Sequence, residues 1–276
     1  MDVGDRVIQS GGVSLATEDV GGGVPVVLLH GLTATRRYVV MGSRALERSN
    51  HRVIAFDARG HGRSSPAPEA AAYGYDDLGN DVLAVLDELG IDRAVLAGAS
   101  MGAHTALRVA LERPERVAGL VVITPGYDPE TVEDTKRLAR WDALAAGLRE
   151  GGVEGFIDAY GEPRVPGAWR DTVLKVIRQR LALHEHPEAV ADALSAVPRA
   201  LPFQRLDDLT EVSVPAVVVG SSDEADPEHP QALAQAYARA IPRARLITDE
   251  PGRSPIAWQG SQLSKVIASV AQEAFG

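Results

Sequence analysis

The sequence predicts an α/β protein, a mostly parallel sheet with helices on both faces. Three observations point there. Short unbroken apolar runs recur along the chain, segments of helical period alternate with them, and a glycine-flanked serine, Gly98-Ala99-Ser100-Met101-Gly102, joins one of each. Strands buried on both faces of a parallel sheet read as continuous apolar runs, and parallel neighbours need a crossover, usually a helix.

Taken in order, residues 6–9 and 13–17 flank Ser10-Gly11-Gly12 and predict an antiparallel hairpin at the sheet edge. Buried strands are predicted at 25–29 and 52–57. Leu78, Val82, Val85, Leu86 and Leu89 then fall on one helical face. A strand at 94–98 leads into the serine run, a helix over 103–111 follows it, and another buried strand covers 120–124. From Tyr127 to Arg205 the rhythm breaks. Trp141, Leu144 and Leu148 recur at helical spacing, as do Val153, Phe156, Ile157 and Tyr160, and prolines 163, 166, 187 and 198 punctuate the stretch. This predicts a helical insertion at 127–205 within a core made of 1–126 and 206–276. Strands at 215–220 and 244–248, with helices at 231–240 and around Leu263 to Val270, complete the core.

The 276 residues suffice for one large domain with a sizeable core. The formal net charge of −10 argues against nucleic acid or an anionic membrane as partner, since both need a basic footprint. With no cysteine, disulfides, thiolate metal sites and a cysteine nucleophile are excluded. The acidic start Met1-Asp2-Val3-Gly4-Asp5 is unlike a signal peptide, and no apolar run is long enough to span a bilayer, so a cytoplasmic location is expected. There is no phosphate-binding glycine motif and no metal-ligand spacing, so neither a nucleotide cofactor nor a metal is expected. The expected partner is a small molecule; the sequence sets no oligomeric state.

Gly-x-Ser-x-Gly between a strand and a helix has the form of a nucleophile elbow. The serine sits in a tight, strained turn, and a Cβ at Gly98 or Gly102 would collide with the neighbouring strand or helix. The turn lifts the Ser100 Oγ to the N-terminus of a helix whose dipole favours developing negative charge.

Together, His30-Gly31, Asp57-Ala58-Arg59-Gly60-His61-Gly62-Arg63-Ser64, the elbow, Gly220-Ser221-Ser222-Asp223 and Pro251-Gly252-Arg253-Ser254-Pro255 resemble the α/β-hydrolase fold family with its helical lid. The resemblance covers essentially the whole chain. It implies Ser100 as nucleophile, Asp223 as acid, and the backbone N–H groups of Leu32 and Met101 as oxyanion hole. Asp226 and Asp128 are rival acids. The family's histidine falls where this sequence has Arg253, and an arginine cannot serve as base near neutrality. His104, one helical turn past Ser100, and His229, six residues past Asp223, are candidate bases. His30, His61, His184 and His186 are weaker ones, and His51 lies toward the far edge. Arg253 can be read as a lost histidine paired with Asp223, or as a cation that binds an anion beside Ser100. Asp57, Arg59 and Arg63 read as structural. Three functions are therefore open: a serine hydrolase of a small ester or acyl compound, a lyase or cyclase that stabilises an anion through Arg253, and a catalytically silent small-molecule receptor.

Overall fold

Strands pair in the order β1-β2-β4-β3-β5-β6-β7-β8 within one sheet. They span Gly4–Ser10, Val13–Gly21, Val24–Leu29, His51–Phe56, Ala94–Ala99, Val117–Ile123, Ala216–Gly220 and Ala244–Thr248 as β1 to β8. The computed structural model describes residues 4–163, 165–222, 226, 228–249 and 259–276. Neighbours from β4 to β8 are all parallel, while β1 and β2 form the antiparallel edge hairpin. The eight α-helices among the described residues are α1 (Ala45–Arg48), α2 (Tyr75–Glu88), α3 (Met101–Glu112), α4 (Thr135–Tyr160), α5 (Arg170–Leu181), α6 (Pro187–Ala196), α7 (Gln231–Ala240) and α8 (Gly260–Phe275).

Alternation along each strand divides the interior. Val27, Leu29, Leu96 and Val122 face one side and pack with Val82 and Leu86 of α2, Leu107 of α3 and Tyr237 of α7. Val26, Leu28, Val95 and Val121 face the other and pack with Leu263, Ile267 and Val270 of α8. The expectation of a buried strand at 244–248 is corrected: β8 is the sheet's far edge, paired on one side to β7, with Leu246 39% exposed. An edge strand has only one neighbour to cover it.

Between β6 and β7 the described residues form helices and turns and no strand. Within α4, Gly152 leaves helical geometry at φ 60° and the chain doubles back. Gly147 and Gly155 then meet so closely that a Cβ on either would lie within 2.4 Å of the other's carbonyl oxygen. Leu144 and Leu148 of α4 and Val190 and Leu194 of α6 share a core cluster with Leu32, Ala58 and Met101, which follow β3, β4 and β5. The helical segment therefore sits over the carboxyl ends of the strands. The strand order reverses between β3 and β5, and a crevice forms where such loops part.

Candidate active site

The site begins at the turn between β5 and α3. Ser100 has φ 50° and ψ −114°, a conformation that L-residues avoid. Glycine is required on both sides: a Cβ on Gly98 would come 2.1 Å from the Gly102 oxygen, and one on Gly102 would come 2.1 Å from the Leu29 oxygen. The strained turn is fixed from outside by a bond from the Ser100 N–H to the Ile123 oxygen, 3.0 Å.

A histidine faces the serine. His229 Nε2 lies 2.9 Å from the Ser100 Oγ, and its Nδ1 lies 2.7 Å from Asp226 Oδ1. A carboxylate accepts only, so Nδ1 carries the proton and Nε2 is left to accept from the hydroxyl. Both residues come from the loop between β7 and α7. Burial disfavours the His229 cation, but the Asp226 carboxylate outweighs it and holds the imidazole above its ordinary 6.5. Burial likewise raises Asp226, yet the charge and hydrogen bond of His229 outweigh it, so the carboxyl sits below its ordinary range. Each partner favours the ionised form of the other.

The imidazole fits because the end of β6 makes room. A Cβ on Gly126 would lie 3.0 Å from His229 Cδ2. The same backbone is pinned from below by His104, whose Nε2 accepts from the N–H groups of Gly126 and Tyr127 at 3.2 and 3.1 Å. That lone pair is spent, and burial pushes the ring's pKa down to about 3. The expectation of His104 as a candidate base is therefore corrected: it fixes the loop against which the His229 ring lies. His30, His61 and His184 are occupied in another way. His30 Nδ1 bonds the Gly31 oxygen at 2.8 Å, His61 Nε2 the Leu32 oxygen at 2.6 Å, and His184 Nε2 the Thr33 oxygen at 3.3 Å. Three imidazoles thus hold three successive carbonyls of the loop after β3. The adjacent N–H of Leu32, like that of Met101, has no hydrogen-bond partner among the described residues.

Of the sequence-derived site residues, Ser100 and Met101 are neighbours at the start of α3, and Leu32 shares a core cluster with Met101. Asp223 and Arg253 lie outside the described residues, as does the ion pair between them. Asp226, the rival acid, is the carboxylate on His229. Asp128 instead caps a turn through the Glu130 N–H at 3.0 Å. Asp57 accepts from the Arg36 N–H at 2.8 Å and the Arg63 N–H at 3.1 Å, and Arg59 forks onto buried Asp81 with two bonds of 2.8 Å, so these loop residues are structural. Sequence reasoning weighed His229 without favouring it. Its signal was Asp226-Pro227-Glu228-His229, a carboxylate and an imidazole three apart just after a strand. Gly126 gave no signal, because its role is visible only against a ring more than a hundred residues away.

Fold and site together define a protein with a strained serine turn, faced by a histidine, on a doubly covered parallel sheet. The family model for the alpha/beta hydrolase fold matches residues 24–149. A thermophilic esterase from Thermogutta terrifontis superposes with a TM-score of 0.80 at 26% identity, covering 98% of this chain and 99% of that one. The chain has the α/β-hydrolase fold. A protein of Mycobacterium phage D29 that bears the name non-heme haloperoxidase is 32% identical over 169 residues, 61% of this chain and 59% of that protein. One from Variovorax paradoxus (strain S110) that bears the name carbamate hydrolase is 35% identical over 148 residues, 53% of each. The chain spans little more than half the length of these curated relatives. No described helix is long and apolar enough to cross a membrane.

Proposed function

We propose that the protein is a serine hydrolase of small esters or related acyl compounds, with Ser100, His229 and Asp226 as its triad. The observation that carries this reading is the continuous line of hydrogen bonds from Ser100 Oγ through His229 to Asp226, 2.9 and 2.7 Å. The Ser100 hydroxyl attacks the substrate carbonyl carbon while its proton passes to His229 Nε2. Asp226 holds the imidazole in the accepting tautomer and stabilises the imidazolium. The oxyanion is met by the unpaired N–H groups of Leu32 and Met101, donors worth on the order of 3 kcal/mol each in such sites. Collapse breaks the ester bond, and the leaving alcohol takes the proton from Nε2. Water then gives a proton to Nε2 and attacks the acyl-serine, and the serine leaves with that proton. The helices of 127–205 act as the lid that shapes the pocket. A loop histidine after β8 is not needed, which accounts for Arg253 at that position.

The test is reaction with a fluorophosphonate probe together with hydrolysis of 4-nitrophenyl acetate. Ser100→Ala is expected to abolish labelling and His229→Ala to lower turnover by about 10⁴-fold or more. Labelling and turnover that survive His229→Ala would overturn the assignment of the base, and a wild type inert to both would favour a receptor.

A further inference from the structure

Arg180, near the end of α5, makes no hydrogen bond and no ion pair among the described residues, and its Nε is buried without a partner. The other such atom among the described residues, Arg108 Nε, belongs to a guanidinium already paired with Asp76 and Glu112. Arg180 has no such relief. Its guanidinium carbon lies 5.9 Å from the centre of the Tyr38 ring, in the segment that follows the Leu32 loop. It is also near enough to Asp226, His229 and Tyr160 for its charge to alter their ionisation. The cation thus lies where α5, the segment after β3 and the triad loop converge.

Burying an unpaired charge is costly, and most proteins pair or expel it. Burial does draw Arg180 below its ordinary pKa, but arginine does not give up its proton in proteins. The Asp226 charge favours the cation from a distance, but its carboxylate forms its ion pair with His229 and bonds no guanidinium nitrogen of Arg180. A guanidinium edge is the fork that carboxylates fill with two parallel bonds.

Resting on the reading of Ser100 as nucleophile, we propose that Arg180 is the docking point for a carboxylate carried by the substrate, so that the preferred substrates are half-esters and other anionic acyl compounds. The charge of the whole chain, −10, works against anions at long range. Selection of an anionic substrate therefore has to come from a local cation held close to the reacting group.

The test compares mono-4-nitrophenyl glutarate with neutral 4-nitrophenyl acetate. Wild type is expected to favour the glutarate ester in kcat/KM, and Arg180→Met to reduce that preference by about 30-fold. Free glutarate should inhibit wild type competitively, with neutral glutaramide far weaker; this arm needs no variant to fold. A further arm needs no catalysis: Ser100→Ala should bind glutarate in calorimetry, and the double variant with Arg180→Met should not. Equal inhibition by glutarate and glutaramide, or a loss in Arg180→Met that is the same for both esters, would overturn the proposal. Hydrolysis that survives Ser100→Ala would instead overturn the nucleophile while the calorimetry still judged Arg180.

Discussion

At Ser100 the backbone is strained at φ 50° so that one hydroxyl faces one imidazole. The imidazole accepts the serine proton only when neutral, and Asp226 holds its pKa above 6.5. Activity is therefore expected to rise with pH along a single imidazole titration whose midpoint lies above 6.5. Asp226→Asn should lower that midpoint and cut kcat by about 10⁴-fold, because the acceptor that fixes the tautomer is gone. A midpoint unmoved in Asp226→Asn would show that another group sets the charge on His229. Gly126 acts at the same scale. With only 3.0 Å from its missing Cβ to the His229 ring, Gly126→Ala is expected to push the ring from Ser100. It should cost about 100-fold in kcat with a melting temperature close to wild type.

The loop after β3 carries the Leu32 N–H, and its orientation rests on carbonyls tied to His30, His61 and His184. His184 belongs to the helical segment and also accepts from the Gly62 N–H at 2.8 Å. The helical segment and the loop after β3 are thus one mechanical unit. In His184→Ala the Gly62 N–H is left buried without a partner, which costs about 1–3 kcal/mol. The freed Thr33 carbonyl lets the Leu32 N–H turn. A fall in kcat of about 10-fold with little change in KM is expected from steady-state kinetics beside a urea melt. A stability loss with kcat intact would mean that the loop holds its shape without this clamp.

Across the whole molecule the buried histidines set the acid limit. Burial holds His30 at about 4 and His104 and His184 at about 3, against 6.5 when exposed. Between those values the unfolded chain binds more protons than the folded one, so stability falls as pH drops from 6.5 toward 4. Each ring contributes a slope of up to about 1.4 kcal/mol per pH unit. His229 has the opposite sign: its contribution is full below 6.5 and lost as pH rises through its raised value. Urea midpoints at pH 7, 6 and 5 should therefore decline with acid, and a flat series would show that these rings protonate without unfolding.

The sequence by itself determined the sheet, the helical interruption and the glycine-flanked serine turn. Apolar runs such as Val26 to Leu29 and Leu120 to Ile123 are dictated by burial on both faces, and the elbow glycines by contacts along a few neighbouring residues. Such signals are local and survive in one dimension. Only the tertiary structure decided which imidazole faces Ser100. His229, His104 and His184 are chemically identical in the sequence, and what separates them is which lone pair remains after folding. His104 spends Nε2 on two backbone N–H groups and His184 spends Nδ1 on Gly62, while His229 turns a free Nε2 to Ser100. The separation of 129 positions between His229 and Ser100 is closed by the parallel order β5-β6-β7, which brings the loop ends together. A hydrogen-bond partner at that distance along the chain is set by packing and strand order, which no local residue pattern records.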